Sequence, residues 1–275
     1  MQNLFGAQTS KSIFLRMRTT ISKLDFIIAG TQKSGTSVLT YYLNQHPAIA
    51  MAHKEEAHLL VQPRRHFFDN EAMFASGNIN YDLLHRDVAV TAQTLVTGTC
   101  TPVYTYWKPA MQRIRDYNPS IKLIVLLRNP IDRAFSHWNM QRDRKLDSLN
   151  FLDAVKQEEN RAREVYPLQL RKFSYVERGF YSEQMERVFR FFPHEQVLVI
   201  KFDDLRRDYR AATDRIVNFL GVPPFPRLKN REENVINYAR PMTQSERAYL
   251  FSIFENDIGK LEKLLGWDCS DWKPS

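Results

Sequence analysis

The amino-acid sequence predicts an α/β fold in which a parallel β-sheet is flanked by helices, and three observations support this prediction. Short apolar runs at 24–29, 121–127 and 196–202 have the length and composition of buried strands. Segments with helical periodicity separate these runs, which is the pattern of parallel βαβ units. A glycine-containing loop from Gly30 to Ser37 connects the first strand to the first helical segment.

Each helix has its own signal in the sequence. The predicted helices share apolar residues at helical spacing, and they lie near 38–43, 185–192, 216–220 and 249–265. The first of them stops at His46-Pro47, and Thr243-Gln-Ser-Glu246 has the form of a capping box before the last. Periodicity is weak at 75–95, so no element is predicted there.

Composition places the chain among ordinary globular proteins. It has 275 residues, of which 43% are hydrophobic and 25% are charged, and its apolar runs are too short to span a membrane. The basic residues near the N-terminus surround only a short apolar patch, so no secretory signal is predicted. We therefore expect a cytoplasmic protein with a basic N-terminal extension, 1–23, and one domain, 24–272. An interfacial role for the extension stays open.

The net charge and the spacing of the cysteines and histidines indicate which ligands this chain can be expected to bind. The net charge of +8 fits an anionic ligand, but the basic residues are scattered rather than gathered in one tract, so no nucleic-acid partner is expected. The two cysteines, Cys100 and Cys269, form no C-x-x-C pair. The histidines between 46 and 66 lack the spacing of a helical metal site. No metal is therefore predicted.

The strongest functional signal is the loop between the first strand and the first helix. A loop in this place directs backbone N–H groups and a helix N-terminus at one point, and both stabilise a bound phosphate. Lys33 adds a positive charge. The candidate phosphate-binding residues are Thr31, Gln32, Lys33, Ser34, Gly35, Thr36 and Ser37. The alternative is an ordinary strand-to-helix turn with a Ser or Thr cap.

This loop differs from the loop that binds Mg-ATP in P-loop nucleoside triphosphatases. That loop has lysine directly after its second glycine, whereas Thr36 follows Gly35 here and the lysine is Lys33. A triphosphatase also needs an acidic residue at the end of a second strand to hold magnesium. The strand 121–127 instead ends in Arg128, whose charge repels a metal and attracts an anion. The sequence thus predicts phosphate binding without a specific signal for Mg-ATP.

Arg128 marks a second candidate anion site. The following Asn129-Pro130 has the form of a helix N-cap with proline at the first helical position. Ser136 lies about two turns further on, so Arg128 and Ser136 can reach one ligand at the carboxyl edge of the sheet. The alternative is that Arg128 pairs with Asp132 while Ser136 faces solvent. Two anion sites at neighbouring strand ends fit a nucleotide with a 5′ phosphate-derived group and a 3′ phosphate, such as PAPS (3′-phosphoadenosine 5′-phosphosulfate).

These motifs resemble those of the PAPS-dependent sulfotransferases, most closely the branch that contains heparan-sulfate-type enzymes and many bacterial relatives. Thr31-Gln-Lys-Ser-Gly-Thr-Ser37 resembles the 5′-phosphosulfate loop of that family, and Ile124-Val-Leu-Leu-Arg-Asn-Pro-Ile-Asp-Arg-Ala-Phe-Ser136 resembles its 3′-phosphate motif. Shorter similarities extend the resemblance over 24–268, and they are Asn44-Gln-His-Pro47, His66-Phe-Phe-Asp69, Arg178-Gly-Phe-Tyr181 and Leu264-Leu-Gly-Trp267.

The resemblance implies the sulfotransferase fold and roles for particular residues. By this resemblance, Lys33 contacts the bridging oxygen of PAPS, and Arg128 and Ser136 bind the 3′ phosphate. Arg178 and Tyr181 line the nucleotide or acceptor side. The segment 229–241 corresponds in position to a loop that closes over the nucleotide in the family.

Transfer to a hydroxyl also needs a base near the acceptor. The family often has a glutamate for this purpose shortly after the first helix, and the resembling segment here is His53-Lys-Glu-Glu-Ala-His58. Glu55 is the first candidate; Glu56 and His58 are alternatives, since adjacent charged residues are often merely solvated. Nearby, Gly98-Thr-Cys-Thr-Pro102 lacks the glutamate or lysine that many relatives have. We expect its cysteine to pack rather than react, because direct transfer needs no covalent intermediate.

The sequence therefore predicts a sulfotransferase that moves the sulfuryl group of PAPS to a hydroxyl or amine of a small-molecule or glycan acceptor and releases 3′,5′-ADP. Lipid and peptide acceptors also fit. Two other functions stay open. One is a P-loop kinase that uses Mg-ATP, and the other is a non-catalytic module that binds an anionic nucleotide or polymer.

Overall fold

A five-stranded parallel sheet runs through the computed structural model, which describes residues 21–52, 67–85, 88–230 and 238–273. The strands are β1 (Phe26–Gly30), β2 (Ile49–Met51), β3 (Val96–Cys100), β4 (Lys122–Leu127) and β5 (Val197–Lys201). Their order in the sheet is β2-β3-β1-β4-β5, and every neighbouring pair is parallel. The carboxyl ends of all five strands therefore lie at the same edge.

Helices join the strands and follow the last one. They are α1 (Thr36–Leu43), α2 (Glu71–Ser76), α3 (Ala110–Tyr117), α4 (Pro130–Asp143), α5 (Phe151–Lys156), α6 (Glu158–Val165), α7 (Tyr181–Phe191), α8 (Phe202–Arg207), α9 (Tyr209–Leu220) and α10 (Gln244–Leu265). Short 3₁₀ turns lie at Tyr81–Leu84, Glu177–Gly179, His194–Gln196 and Ser270–Trp272. No helix among the described residues is both long and apolar enough to cross a membrane.

Both faces of the sheet are covered, which explains why β1, β4 and most of β5 read as apolar runs. Along β1, Ile27 and Ala29 belong to one hydrophobic cluster, whereas Phe26 and Ile28 belong to the other. Helices α3, α4, α7 and α10 contribute to the first cluster, and α1 and α9 contribute to the second. The sheet is thus the middle layer of three, with the loop after β1 and Arg128 after β4 at its carboxyl edge.

The predicted fold class is confirmed. The runs at 24–29, 121–127 and 196–202 correspond to β1, β4 and β5. The capping box before α10 is present, because Glu246 N donates to Thr243 Oγ1 (3.2 Å) and Thr243 N donates to Glu246 Oε2 (2.8 Å).

The sequence analysis did not predict strands β2 and β3 or helices α2, α3, α5, α6 and α8. Strand β2 has three residues, and β3 reads Val-Thr-Gly-Thr-Cys, which combines polar residues with a glycine. Gly98 lies directly against the ring of Phe26, so tertiary contact rather than local propensity keeps this strand in the sheet. The weakly periodic 75–95 contains the turn Tyr81–Leu84 and the end of α2. Most of the predicted N-terminal extension, 1–20, lies outside the described residues.

Candidate functional site

The loop between β1 and α1 makes a tight turn at the carboxyl edge of the sheet. Gly35 has a φ of 83°, and the ring of Phe202 lies where a side chain would be, 2.6 Å from an added Cβ. Only glycine fits this position without displacing the ring. Gly35 is also the N-cap of α1 and provides no side-chain cap, so the alternative of a Ser or Thr cap on this described helix is wrong. The first N–H groups of α1 point out of the helix end, as a bound anion requires.

The buried hydroxyl groups of Thr31 and Ser34 stabilise the loop by hydrogen bonding. Thr31 donates from its backbone N (2.8 Å) and its Oγ1 (2.9 Å) to the carbonyl of Leu126 in β4, and its Oγ1 is 2.6 Å from Ser34 Oγ. Both side chains are buried. The two residues therefore fix the loop against β4, while Thr36 and Ser37 form the first turn of α1.

Arg128 lies beside the loop. Its Nη1 donates to the carbonyl of Lys33 (3.2 Å), and its guanidinium lies 5.1 Å from the ring centre of Phe202. Asp132 instead accepts from Arg247 Nη2 (2.7 Å), so the predicted alternative of an Arg128–Asp132 pair is wrong. The structure thus brings the arginine after β4 to the loop after β1.

The ammonium of Lys33 lies in a partly buried, cationic environment. Burial lowers its pKa, and the positive charge of Arg128 lowers it further. A bound phosphosulfate group would supply the negative charge that such a lysine needs to stay protonated. The site is therefore electrostatically prepared for an anion.

Ser136 lies on the buried side of α4. Its side chain is 1% exposed, and its Oγ has no hydrogen-bond partner among the described residues. The alternative that Ser136 faces solvent is wrong. The predicted N-cap is present, because Asn129 Oδ1 accepts from Ile131 N (3.0 Å). A buried hydroxyl without a partner is a suitable donor to a phosphate.

Arg178 and Tyr181 join the two motifs from the side of α7. Arg178 Nη1 donates to Gln32 Oε1 (2.6 Å) in the loop, and Tyr181 Oη donates to the carbonyl of Arg128 (2.9 Å). The other nitrogens of Arg178 donate to Ser174 Oγ (2.7 Å) and to a backbone carbonyl. Burial lowers the pKa of Arg178 to about 10. The hydrogen bonds of Arg178 to Gln32 and of Tyr181 to Arg128 thus orient the loop and Arg128.

Glu158 is a site residue that the sequence analysis missed. Its carboxylate accepts from Val176 N (2.7 Å) and Glu177 N (2.8 Å), at the turn that carries Arg178. Burial raises the pKa of Glu158 to about 7. In the sequence it looks like one more charged residue at the start of α6, and no local signal shows that it is buried.

A chain of contacts runs from Arg178 to the segment that follows the candidate bases. Arg171, whose carbonyl accepts from Arg178 Nη2 (2.6 Å), pairs with Asp69 and stacks 4.0 Å from the ring centre of Trp107. Trp107 Nε1 in turn donates to Glu71 Oε1 (2.6 Å). The loop after β1 is therefore connected, through these contacts, to 67–71. The candidate bases Glu55, Glu56 and His58 lie outside the described residues.

The described part of the site is rich in cations. Arg133 on α4 is completely buried and donates to the carbonyl of Tyr175, while its Nε and Nη1 have no partner within the described ranges. Burial lowers the pKa of Arg133. Among the described residues, no group of three or more His, Cys, Asp or Glu side chains could hold a metal ion. The absence of a metal stays a prediction.

The segment 98–102, which lacks the glutamate or lysine of many relatives, lies at the same edge of the sheet. Cys100 ends β3 beside Ile28 of β1, and Thr101 N donates to the carbonyl of Ile28 (3.0 Å). The cysteine is partly buried and packs against the second hydrophobic cluster. This position fits the packing role expected from the sequence.

Known proteins similar to this chain include several sulfotransferases. The family model described as "Sulfotransferase domain" matches residues 23–246. Mouse heparan sulfate glucosamine 3-O-sulfotransferase 5 is 28% identical over 201 residues, which make up 72% of this chain and 53% of that protein. Human bifunctional heparan sulfate N-deacetylase/N-sulfotransferase 2 is 27% identical over 233 residues, which make up 82% of this chain and 25% of that protein. The chain thus spans about half the length of the first relative and a quarter of the second.

Solved structures give the same result for the fold. The crystal structure of a sulfotransferase from Alicyclobacillus acidocaldarius has a TM-score of 0.76 and 27% identity, and the match covers 92% of this chain and all of that one. The crystal structure of mouse sulfotransferase SULT7A1 complexed with PAP has a TM-score of 0.51 and 15% identity, with 90% and 89% covered. At that identity the second match concerns the fold alone. Together they confirm the sulfotransferase fold that the resemblance implied.

Proposed function

Because this chain belongs to the sulfotransferase family, we propose that it transfers the sulfuryl group of PAPS to a hydroxyl or amine of an acceptor and releases 3′,5′-ADP. One observation carries the proposal: Arg128, after β4, donates to the carbonyl of Lys33 in the loop after β1 (3.2 Å). The two candidate anion-binding motifs therefore lie next to each other at one edge of the sheet. A nucleotide with phosphate groups on both its 5′ and 3′ positions fits such a pair of sites.

In this proposal the loop binds the 5′ phosphosulfate. The N-terminus of α1 and the loop N–H groups hold the phosphate oxygens. Lys33 lies beside the bridging oxygen and stabilises the negative charge that grows there as the bond to sulfur breaks. The support is the left-handed turn at Gly35, which opens the helix end, and the cationic surroundings of Lys33.

The 3′ phosphate is assigned to Arg128 and Ser136. The guanidinium of Arg128 can donate two parallel hydrogen bonds to a phosphate. Ser136 has a buried Oγ that lacks a partner among the described residues, and it lies on the helix that begins beside Arg128. Tyr181 and Arg178 then serve as positioning residues, since they hold Arg128 and Gln32 through the contacts given above.

The transfer itself is a direct substitution at sulfur. The acceptor oxygen or nitrogen attacks the sulfur while a base removes its proton, the bond to the bridging oxygen breaks, and the electron pair leaves with 3′,5′-ADP. We propose Glu55 as the base, with Glu56 or His58 as alternatives. The network from Gln32 through Arg178 and Arg171 to Asp69 supports this arrangement, because it links the donor loop to the chain that follows the base segment.

The proposed acceptor is a glycan or a small molecule. By their names, the two curated relatives sulfate heparan sulfate, one on oxygen and one on nitrogen. Both chemistries need an acceptor that gives up a proton, so the same site geometry serves either. The expectation of a cytoplasmic enzyme, which comes from the sequence, belongs to this proposal as well.

Calorimetric titration of the wild-type protein tests the nucleotide assignment. We expect 3′,5′-ADP to bind without added metal and more tightly than ATP with magnesium. Transfer is tested separately with PAPS that carries radioactive sulfur, offered with glycan and small-molecule acceptors. Preferential binding of Mg-ATP, or PAPS binding without transfer to any acceptor class, would contradict the proposal.

A further inference from the structure

The C-terminal turn Ser270–Trp272 packs into the protein beside the nucleotide motifs. It follows α10 and lies beyond the residues 23–246 matched by the family. Cys269 is completely buried and Trp272 is 1% exposed, so the turn is part of the core rather than a surface tail. Its start is held by Cys269 N, which donates to Glu262 Oε1 (2.9 Å).

Trp272 contacts Asn129, the residue after Arg128, and Tyr181, which donates a hydrogen bond to Arg128. Its carbonyl accepts from Asn129 Nδ2 (3.3 Å), and Asn129 is the N-cap of α4. Its ring meets the ring of Tyr181 edge to face, with 6.3 Å between centroids. Tyr181 Oη donates to the carbonyl of Arg128 (2.9 Å). Trp272 therefore supports the start of α4 and the tyrosine that holds Arg128.

Lys201 ties the turn to the sheet. It is the last residue of β5 and pairs in register with Leu127, the residue before Arg128. Its Nζ donates to the carbonyl of Asp268 and to Asp271 Oδ1 (3.2 Å). The same ammonium lies 5.4 Å from the ring centre of Trp272, within the range of a cation–π contact.

We propose that the C-terminal turn is a positioning element of the 3′-phosphate half of the nucleotide site. Trp272 acts through Asn129 and Tyr181 and is not itself a ligand. This inference rests on the proposed function, because it assumes that Arg128 and Ser136 bind a 3′ phosphate. It predicts that damage to the turn weakens binding of nucleotides with a 3′ phosphate more than binding of nucleotides without one.

The test compares the affinities for 3′,5′-ADP and 5′-AMP by calorimetry. Trp272→Ala should lower the ratio of the two affinities by about tenfold, as loss of an orienting partner does at metal sites. Trp272→Phe should keep the ratio within about twofold of wild type, because it retains a ring against Tyr181. The indole N–H has no acceptor among the described residues, so this variant loses no visible hydrogen bond.

Two further variants separate positioning from general destabilisation. Phe192→Ala empties a fully buried ring site just after α7, about 16 Å along the helix from Tyr181. It should lower stability in urea unfolding and leave the affinity ratio unchanged. Lys201→Met detaches the turn from β5 without emptying the core, and it should lower the ratio by about threefold.

The outcomes distinguish this inference from the proposed function. If wild type binds 5′-AMP as tightly as 3′,5′-ADP, the proposed function fails. If wild type prefers 3′,5′-ADP but folded Trp272→Ala and Lys201→Met retain the wild-type ratio, the role of the turn is refuted. Should Trp272→Ala not fold, Lys201→Met alone decides, and an unchanged ratio overturns the inference.

Discussion

Replacing Glu158 by glutamine should remove a pH dependence of stability that this carboxyl group causes. Burial raises its pKa to about 7 from the ordinary 4.5, so the folded protein binds a proton more tightly here than the unfolded chain does. The stability that follows from this proton is fully present below pH 4.5 and is lost as the pH rises through 7. At about 1.4 kcal/mol per pH unit, the loss is about 3 kcal/mol.

The assay is urea unfolding of wild type and Glu158→Gln at several pH values from 5 to 8. The free energy of unfolding of wild type minus that of Glu158→Gln should fall by about 2–3 kcal/mol between pH 5 and pH 8. If the two proteins are nearly equal in stability at pH 5, the variant becomes the more stable one at pH 8. Glutamine also loses one acceptor for the N–H groups of Val176 and Glu177, but that cost does not depend on pH. Glu164→Gln, exposed on the same helix, is the matched control. A difference between wild type and Glu158→Gln that stays constant from pH 5 to pH 8 would refute the reasoning.

Three further predictions concern the nucleotide site. Arg128→Ala should weaken 3′,5′-ADP binding by about 10- to 100-fold and leave 5′-AMP binding nearly unchanged, since a charged donor to phosphate is worth about 1.5–3 kcal/mol; equal losses for both nucleotides would refute the assignment. Lys33→Ala should lower kcat by at least about 100-fold, because the lysine acts on the bridging oxygen, and it should also weaken 3′,5′-ADP binding, since that oxygen stays on the 5′ phosphate of the product; a loss seen only in KM would contradict this role. Gly35→Ala should destabilise the protein by about 1–3 kcal/mol in urea unfolding, because the new Cβ would lie 2.6 Å from Phe202 at a φ of 83°; wild-type stability would argue against the described loop.

The parts of the site that are encoded locally could be predicted from the sequence. The loop at Gly30–Ser37 needs glycine for its turn and has a helix directly after it, and both features are visible in eight residues. The cap at Asn129-Pro130 is also a local signal, and it is present in the structure. The parallel sheet followed from the strand-sized apolar runs of β1, β4 and β5, because burial on both faces of a sheet favours apolar residues.

The contacts between distant segments could not be predicted in this way. Arg178 reaches Gln32, which is 146 residues away in the chain, and Trp272 reaches Asn129 across 143 residues. Nothing in the composition around Glu158 shows that its carboxylate meets the backbone of the turn that carries Arg178. Positioning residues of this kind act through tertiary packing. The sequence alone therefore identifies the residues proposed to bind the nucleotide more readily than the residues that position them.

The crystal structure of the protein with bound 3′,5′-ADP is the most direct test of the central claim that two motifs hold the two ends of one nucleotide. The account predicts the 5′ phosphate within hydrogen-bonding distance of the loop 31–37 and the 3′ phosphate in contact with Arg128 and Ser136. An empty loop, or a nucleotide that contacts only one of the two motifs, would contradict it.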